Sequence, residues 1–254
     1  MNAPHLPPAL RAAAAVARPI LGIASALVGL SALAYLIGWR ETSTYYSAFG
    51  AQWVTALLGP TRLMQSSAWV IWITLTFAFT SVYSIAAADA THRGMRWWAI
   101  LTLVAGIAFW IVDAIPLESI TFESRTLLSG LGAILFAVSA GLTIAEVVAR
   151  YKEDGFRWRS YHLWLLFFVV ILTFVWAPAR MGEARARLNM ASATTALPIV
   201  ELATPDTTTI WRLLEVTDSS AVLVALGATA PKNRFRVVGL AELRSIGSTT
   251  RAPK

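Results

Sequence analysis

The chain has 254 residues, of which 57% are hydrophobic and only 14% charged, and it contains no cysteine. A soluble domain carries about 25% charged residues, so the deficit marks a membrane protein and not a large soluble core. The missing cysteine excludes disulfides, thiolate metal sites and cysteine nucleophiles, and it leaves the redox compartment open. The net charge is +7, but Lys and Arg stand mostly beside apolar runs, so topology and contact with anionic lipid account for the excess before nucleic acid does.

Residues 1–18 read as an N-terminal arm, where Pro7 and Pro8 discourage helix and Arg11 and Arg18 make a positive flank. A first membrane span is expected over 19–39, with Gly22/Ala26 and Ser25/Gly29 as small pairs four residues apart. A cleaved signal ending at Ala32-Leu33-Ala34 competes with it, although the apolar run continues to Trp39, beyond the roughly 7–15 residues of such a segment. Residues 40–67 are too polar to span. Tyr45, Tyr46, Phe49 and Trp53, with Leu57 or Leu58, make one aromatic and apolar face, which predicts a short interfacial helix stopped at Gly59-Pro60. That face lies in the head-group layer, or else it caps the bundle or docks a partner.

A second span is expected over 68–88, with Trp69 and Trp72 at its first turn as an aromatic belt. Thr76, Thr80 and Ser84 share one face of it. They form either a polar path through the bundle or hydroxyls bonded to the preceding turn or a neighbouring helix. The third span, 97–115, is closed by Pro116 and puts Thr102, Gly106 and Asp113 on one face, so Asp113 is expected to face protein. An ionisable group in a span is a functional candidate by default. Arg40, Arg62 and Arg125 are its expected partners.

The fourth span, 127–149, carries Ser129, Ala133, Ala137, Gly141 and Ala145 at every fourth position. Such a stripe lets helix backbones approach closely in lipid, so this span is expected to be the central post of the bundle; the plain alternative is that alanine is simply abundant. Glu146 near its end is expected to snorkel toward Arg150 or Lys152. The fifth span, 161–177, is bulky throughout, which predicts a place at the bundle edge, and Pro178 is expected to end it.

With five spans, the N-terminus and the second and fourth loops share a side and hold Arg11, Arg18, Arg93, Arg96, Arg150, Lys152, Arg157 and Arg159, which places the N-terminus in the cytoplasm. Arg180, Arg185 and Arg187 after the fifth span stand against this. Residues 180–195 read as a basic, alanine-rich linker that is expected to form a short amphipathic helix. From 196 to 248 the apolar runs become short: 197–202, 209–216, 221–226 and 234–240 read as strands separated by turn residues, with a helical turn at 241–243 and a tail at 249–254. The pattern resembles the small SH3-like barrels found behind membrane spans. The fold expected is therefore an all-α transmembrane bundle of five spans followed by a small all-β domain, either an SH3-like barrel or a meander.

Motifs for chemistry are missing. His5, His92 and His162 have no metal-ligand spacing, no nucleophile elbow occurs, and no phosphate-binding glycine loop occurs. Lys232, Arg234 and Arg236 read as a solvated strand edge, not a nucleic-acid surface. The function expected is a non-enzymatic, multi-pass inner-membrane protein without cofactor or metal. As a membrane-complex accessory subunit or an immunity-type protein, it anchors the β domain on the periplasmic or extracellular side and docks a membrane or periplasmic protein or a second copy of itself. A small transporter or channel subunit using Asp113 and the Thr76/Thr80/Ser84 face is the alternative. A lipid-directed enzyme using Asp113, Glu118 and Glu123 is a third reading.

Overall fold

The computed structural model describes residues 8–87, 91–115, 122–154, 160–191, 197–203, 209–227 and 232–247. Pro116, Glu118, Arg157, Arg159, linker residues 192–195 and the tail lie outside the described residues, as do the side chains of His92, Glu123, Lys152 and His162.

Helix α1 runs unbroken from Pro8 to Phe49. It absorbs most of the expected arm, because a proline is tolerated in the first turn, where its missing N–H has no intrahelical partner. It also absorbs the first part of the expected interfacial segment, so no separate helix lies across residues 40–49. Gly50 ends it with φ at 82°, a left-handed conformation that glycine adopts freely. A 3-10 turn, Gln52–Leu57, follows. Helix α2, Pro60–Ala87, then starts eight residues before the apolar run, with Pro60 in its first position and not as a stop.

Helix α3, His92–Ala114, is capped by the Thr91 side chain, whose Oγ1 accepts from the Gly94 N–H at 3.2 Å. Helix α4, Phe122–Asp154, packs against α2, α3 and the following helices. It is the most enclosed of the candidate spans, with 67% of its apolar window buried against 22% for α2 and α3.

The last rod differs from expectation. Helix α5, Ser160–Ile171, passes through a π segment, Leu172–Trp176, directly into helix α6, Ala177–Met190. Pro178 therefore does not terminate the span; residues 180–190 are helical, as expected of the connector, but continuous with the span and not a separate helix after it. A proline inside a helix removes one N–H and crowds the carbonyl four residues back, here that of Phe174; the π segment widens the ladder at that point. Thr173 within it donates to the Phe136 carbonyl of α4 at 2.9 Å, which ties the widened turn to the post.

Among the described residues, four helices are long and apolar enough to cross a membrane: Pro60–Ala87, Arg93–Ala114, Ser124–Arg150 and Trp164–Met190. The bulky side chains of α5 face outward, with Trp164, Phe167 and Phe168 exposed.

Beyond α6 the chain forms a five-stranded antiparallel sheet: β1 Ile199–Leu202, β2 Trp211–Val216, β3 Ser220–Ala225, β4 Arg234–Gly239 and β5 Leu243–Gly247. The order is β4-β3-β2-β1-β5, with a 3-10 turn at Leu240–Glu242 before β5. The sequence pattern misses β5, which is an edge strand with Arg244, Ser245 and Ile246 exposed, so no buried alternation marks it. Strand β3 is buried over Ala221–Ala225 because both of its faces are covered. Ala221 and Leu223 join Val200, Leu202 and Val238 in one core, while Val222 and Val224 face the helices. Strand β4 is the other edge, and Arg234 and Arg236 are exposed along it.

Candidate functional site

The C-terminal turns of α1 carry the sequence RETSTYYSAF, and helical spacing divides them into two faces. Glu41 and Tyr45 turn toward α6. There Gly182 brings the backbones together, since a Cβ at that position would overlap the Glu41 carbonyl. Tyr46 and Phe49 turn toward the sheet. With Ala51, Val54 and Ala186 they form one buried cluster that receives Leu214, Val222 and Val224. The aromatic face that reads as a docking surface for another protein is thus covered largely by the chain's own β domain. Trp53 is the exception: it stays exposed, edge-on to Phe235 at a centroid distance of 6.2 Å.

Beside this cluster lies a cavity of about 500 Å³ between α1, α2, α6 and β2, within the size range of small-molecule sites. Its wall is polar and aromatic, including Glu41, Tyr45, Tyr46, Arg62, Trp69, Arg185 and Glu215. Glu41 is buried and accepts from Arg185 Nη1 at 2.9 Å and from Trp69 Nε1 at 3.3 Å. Trp69 is therefore turned into the protein and is not a free belt residue. Burial raises the Glu41 carboxyl above its ordinary value, against the lowering effects of Trp69 and Arg185. Glu215 accepts from the Tyr46 hydroxyl and, at 3.4 Å, from Arg62 Nη2. Burial, then the bond to the Glu215 carboxylate, pushes the Tyr46 phenol well above its usual range, so it remains a donor. Tyr45 is raised by burial too, and its hydroxyl accepts from Asn189 Nδ2 at 2.8 Å.

A second polar group gathers at the same end of the bundle. Asp113 is buried, accepts from Ser129 Oγ at 2.9 Å, and lies 3.4 Å from Arg180 Nη2. Arg125 donates to the Asp113 backbone carbonyl and not to its carboxylate. Arg180 and Arg187 both reach Glu183. The space among these groups is about 10 Å³, room for a single water. At the opposite end, Glu146 is buried between Arg96, with Nη2 at 2.7 Å and Nε at 2.8 Å, and Arg150 at 3.2 Å.

The remaining candidates fall as follows. Ser129, Ala133, Ala137, Gly141 and Ala145 are all buried along α4. Thr76 and Thr80 are exposed on α2, and Ser84 donates back to the Thr80 carbonyl at 2.9 Å. The buried hydroxyls of α2 are instead Ser67, Thr74 and Ser81. The structure does not bring Thr76, Thr80 and Ser84 together with Asp113. Glu41, Arg185 and Glu215 carry no sequence motif; the four-residue spacing of Glu41 and Tyr45 on a helix is the one local hint. Among the described residues, no group of three or more His, Asp or Glu is placed to hold a metal ion. No family model, curated protein or solved structure matches the chain.

Proposed function

We propose that the chain is a non-enzymatic integral membrane protein that holds a small SH3-like domain against the outer end of a five-span bundle and presents it to a partner. The observation that carries this reading is the socket. Tyr46, Phe49 and Val54 at the helix ends enclose Leu214, Val222 and Val224 of the sheet, so the domain is fixed in orientation and not tethered loosely. The strand order and the 3-10 turn before β5 support the barrel reading. The exposed apolar side chains Leu27, Val28, Leu30 and Leu36 on α1 support a fifth span over 19–39.

The orientation with the N-terminus in the cytoplasm and the β domain periplasmic or extracellular gains support from the ion pairs. Arg180, Arg185 and Arg187 bridge to Asp113, Glu41 and Glu183, so these arginines act as counter-ions and not as free topological charge. The partner is a membrane or periplasmic protein, or a second copy. The transport reading rests on less, because Thr76 and Thr80 face away from the bundle interior and Asp113 is tied to Ser129 and Arg180.

Purification in mild detergent after in-cell crosslinking tests the docking role. A defined second protein or a specific dimer is expected, and recovery of the isolated chain across growth conditions overturns the reading. Because the chain lacks cysteine, single cysteines at Ser219 and Thr91 report topology directly. An impermeant thiol reagent is expected to label Ser219→Cys in intact cells and Thr91→Cys only after permeabilisation.

A further inference from the structure

The cavity between the bundle and the sheet has a donor excess. Both carboxylates in its wall are already engaged: Glu41 by Arg185 and Trp69, and Glu215 by Tyr46, Arg62 and the Val216 N–H. The guanidinium groups are not used to the same extent. Among the described residues, Arg62 and Arg185 each reach one carboxylate through one nitrogen, while a guanidinium carries five N–H donors. Their side chains are 61% and 60% exposed, and both line the cavity. What the space lacks is therefore an acceptor-rich group that two planar forks can hold. The cavity also lies at a defined depth. Its α2 wall includes Arg62 and Trp69, where the candidate membrane span Pro60–Ala87 begins and polar residues give way to apolar ones. That transition marks the head-group level of the membrane, where lipid phosphates sit.

We propose that this cavity binds a phosphate ester, with Arg62 and Arg185 clasping the phosphate oxygens and the aromatic wall of Tyr45 and Trp69 covering the ester. Arginine suits the task because its fork matches two phosphate oxygens at once. The head group of a phospholipid in the outer leaflet and a soluble phosphate ester offer the same chemistry. The inference goes beyond the docking role and does not need a protein partner.

Native mass spectrometry of the full chain tests it, with phosphatidylglycerol, diacylglycerol of the same acyl chains, and glycerol 3-phosphate as probes. Phosphatidylglycerol is expected to bind one-to-one and about tenfold more tightly than diacylglycerol, as charge-assisted bonds of this kind provide. Arg62→Gln with Arg185→Gln is expected to abolish that preference. Arg234→Gln with Arg236→Gln, on the exposed β4 edge, is expected to keep it. Displacement of the lipid by glycerol 3-phosphate supports the site with a soluble ligand, and lipid retention in its presence supports it with a membrane ligand. Equal binding of phosphatidylglycerol and diacylglycerol by the native chain overturns the proposal whether or not the variants fold. So does a preference that the β4 substitutions remove as fully as the cavity substitutions.

Discussion

The hydroxyl of Tyr46 donates to the carboxylate of Glu215 across 169 residues of sequence, and this bond joins the end of α1 to strand β2. The tyrosine ring is buried in the cluster beneath the sheet, so the bond also fixes where the carboxylate points. Tyr46→Phe keeps the ring and removes the donor. Glu215 would then retain Arg62 and the Val216 N–H as partners. A hydrogen bond to a charged group contributes roughly 1.5–3 kcal/mol, so the low end is expected for this partly screened carboxylate. Limited proteolysis in detergent should release the β domain faster from the variant. Cleavage at the unchanged rate would show that apolar contact alone holds the domain.

Helices α2 and α4 touch at Gly141, where a Cβ would lie 2.5 Å from the Thr74 carbonyl oxygen. Gly130 on the same helix has room, since a Cβ there meets only the tip of Met181 at 3.7 Å. Gly141→Ala is expected to force the helices apart and cost about 1–3 kcal/mol, the usual range for overpacking. Gly130→Ala should be neutral or slightly stabilising, because alanine is the better helix former. Thermal unfolding of both variants in one detergent checks this, and equal melting temperatures would contradict the close crossing.

Much of this architecture is legible in the sequence for a physical reason. Lipid obliges a helix to present about 20 apolar residues, and a chain that obeys this writes its helices as long runs. The strands are legible where a short apolar run stands between turn residues, as in β2 and β3, and illegible in the exposed edge strand β5. The candidate cavity is harder to read. Tyr46 and Phe49 announce an apolar face, but the pattern of a helix does not say what covers it, and the covering residues Leu214, Val222 and Val224 are remote in the chain. Arg180 and Arg185 read as topological charge because their counter-ions, Asp113 and Glu41, are equally remote. Pro178 reads as a helix stop because a π segment has no sequence mark that separates it from ordinary helix.

Asp113 and Arg180 form a pair at the end of the bundle, 3.4 Å apart, with the aspartate almost fully buried and the arginine partly in contact with solvent. Removing one member of such a pair leaves the other poorly solvated. Asp113→Asn is expected to destabilise the chain by roughly 1–3 kcal/mol, less than a fully buried pair because Arg180 is partly exposed and also reaches Glu183. Adding Arg180→Gln should cost less than the sum of the two single changes, which is the signature of direct coupling. Ion flux into liposomes gives the discriminating readout. If Asp113→Asn alters flux in a chain that still melts normally, the aspartate has a transport role.

Glu41 makes the stability of the bundle end depend on pH. Burial raises its folded value, while Trp69 from α2 and Arg185 from α6 pull it down; the carboxyl nonetheless remains above its ordinary 4.5. The folded chain therefore holds this proton to higher pH than the unfolded chain does. The contribution to stability is fully present below 4.5 and is lost as pH rises through the folded value. Tyr45, one turn along α1, keeps its proton throughout this window because its own value is raised from 10.0. Glu41→Gln retains an acceptor for Arg185 and removes the titration. Unfolding in detergent between about pH 4 and pH 8 should show stability falling with pH in the native chain and a flatter profile in the variant. Matching slopes would mean that the Arg185 contact holds Glu41 ionised throughout.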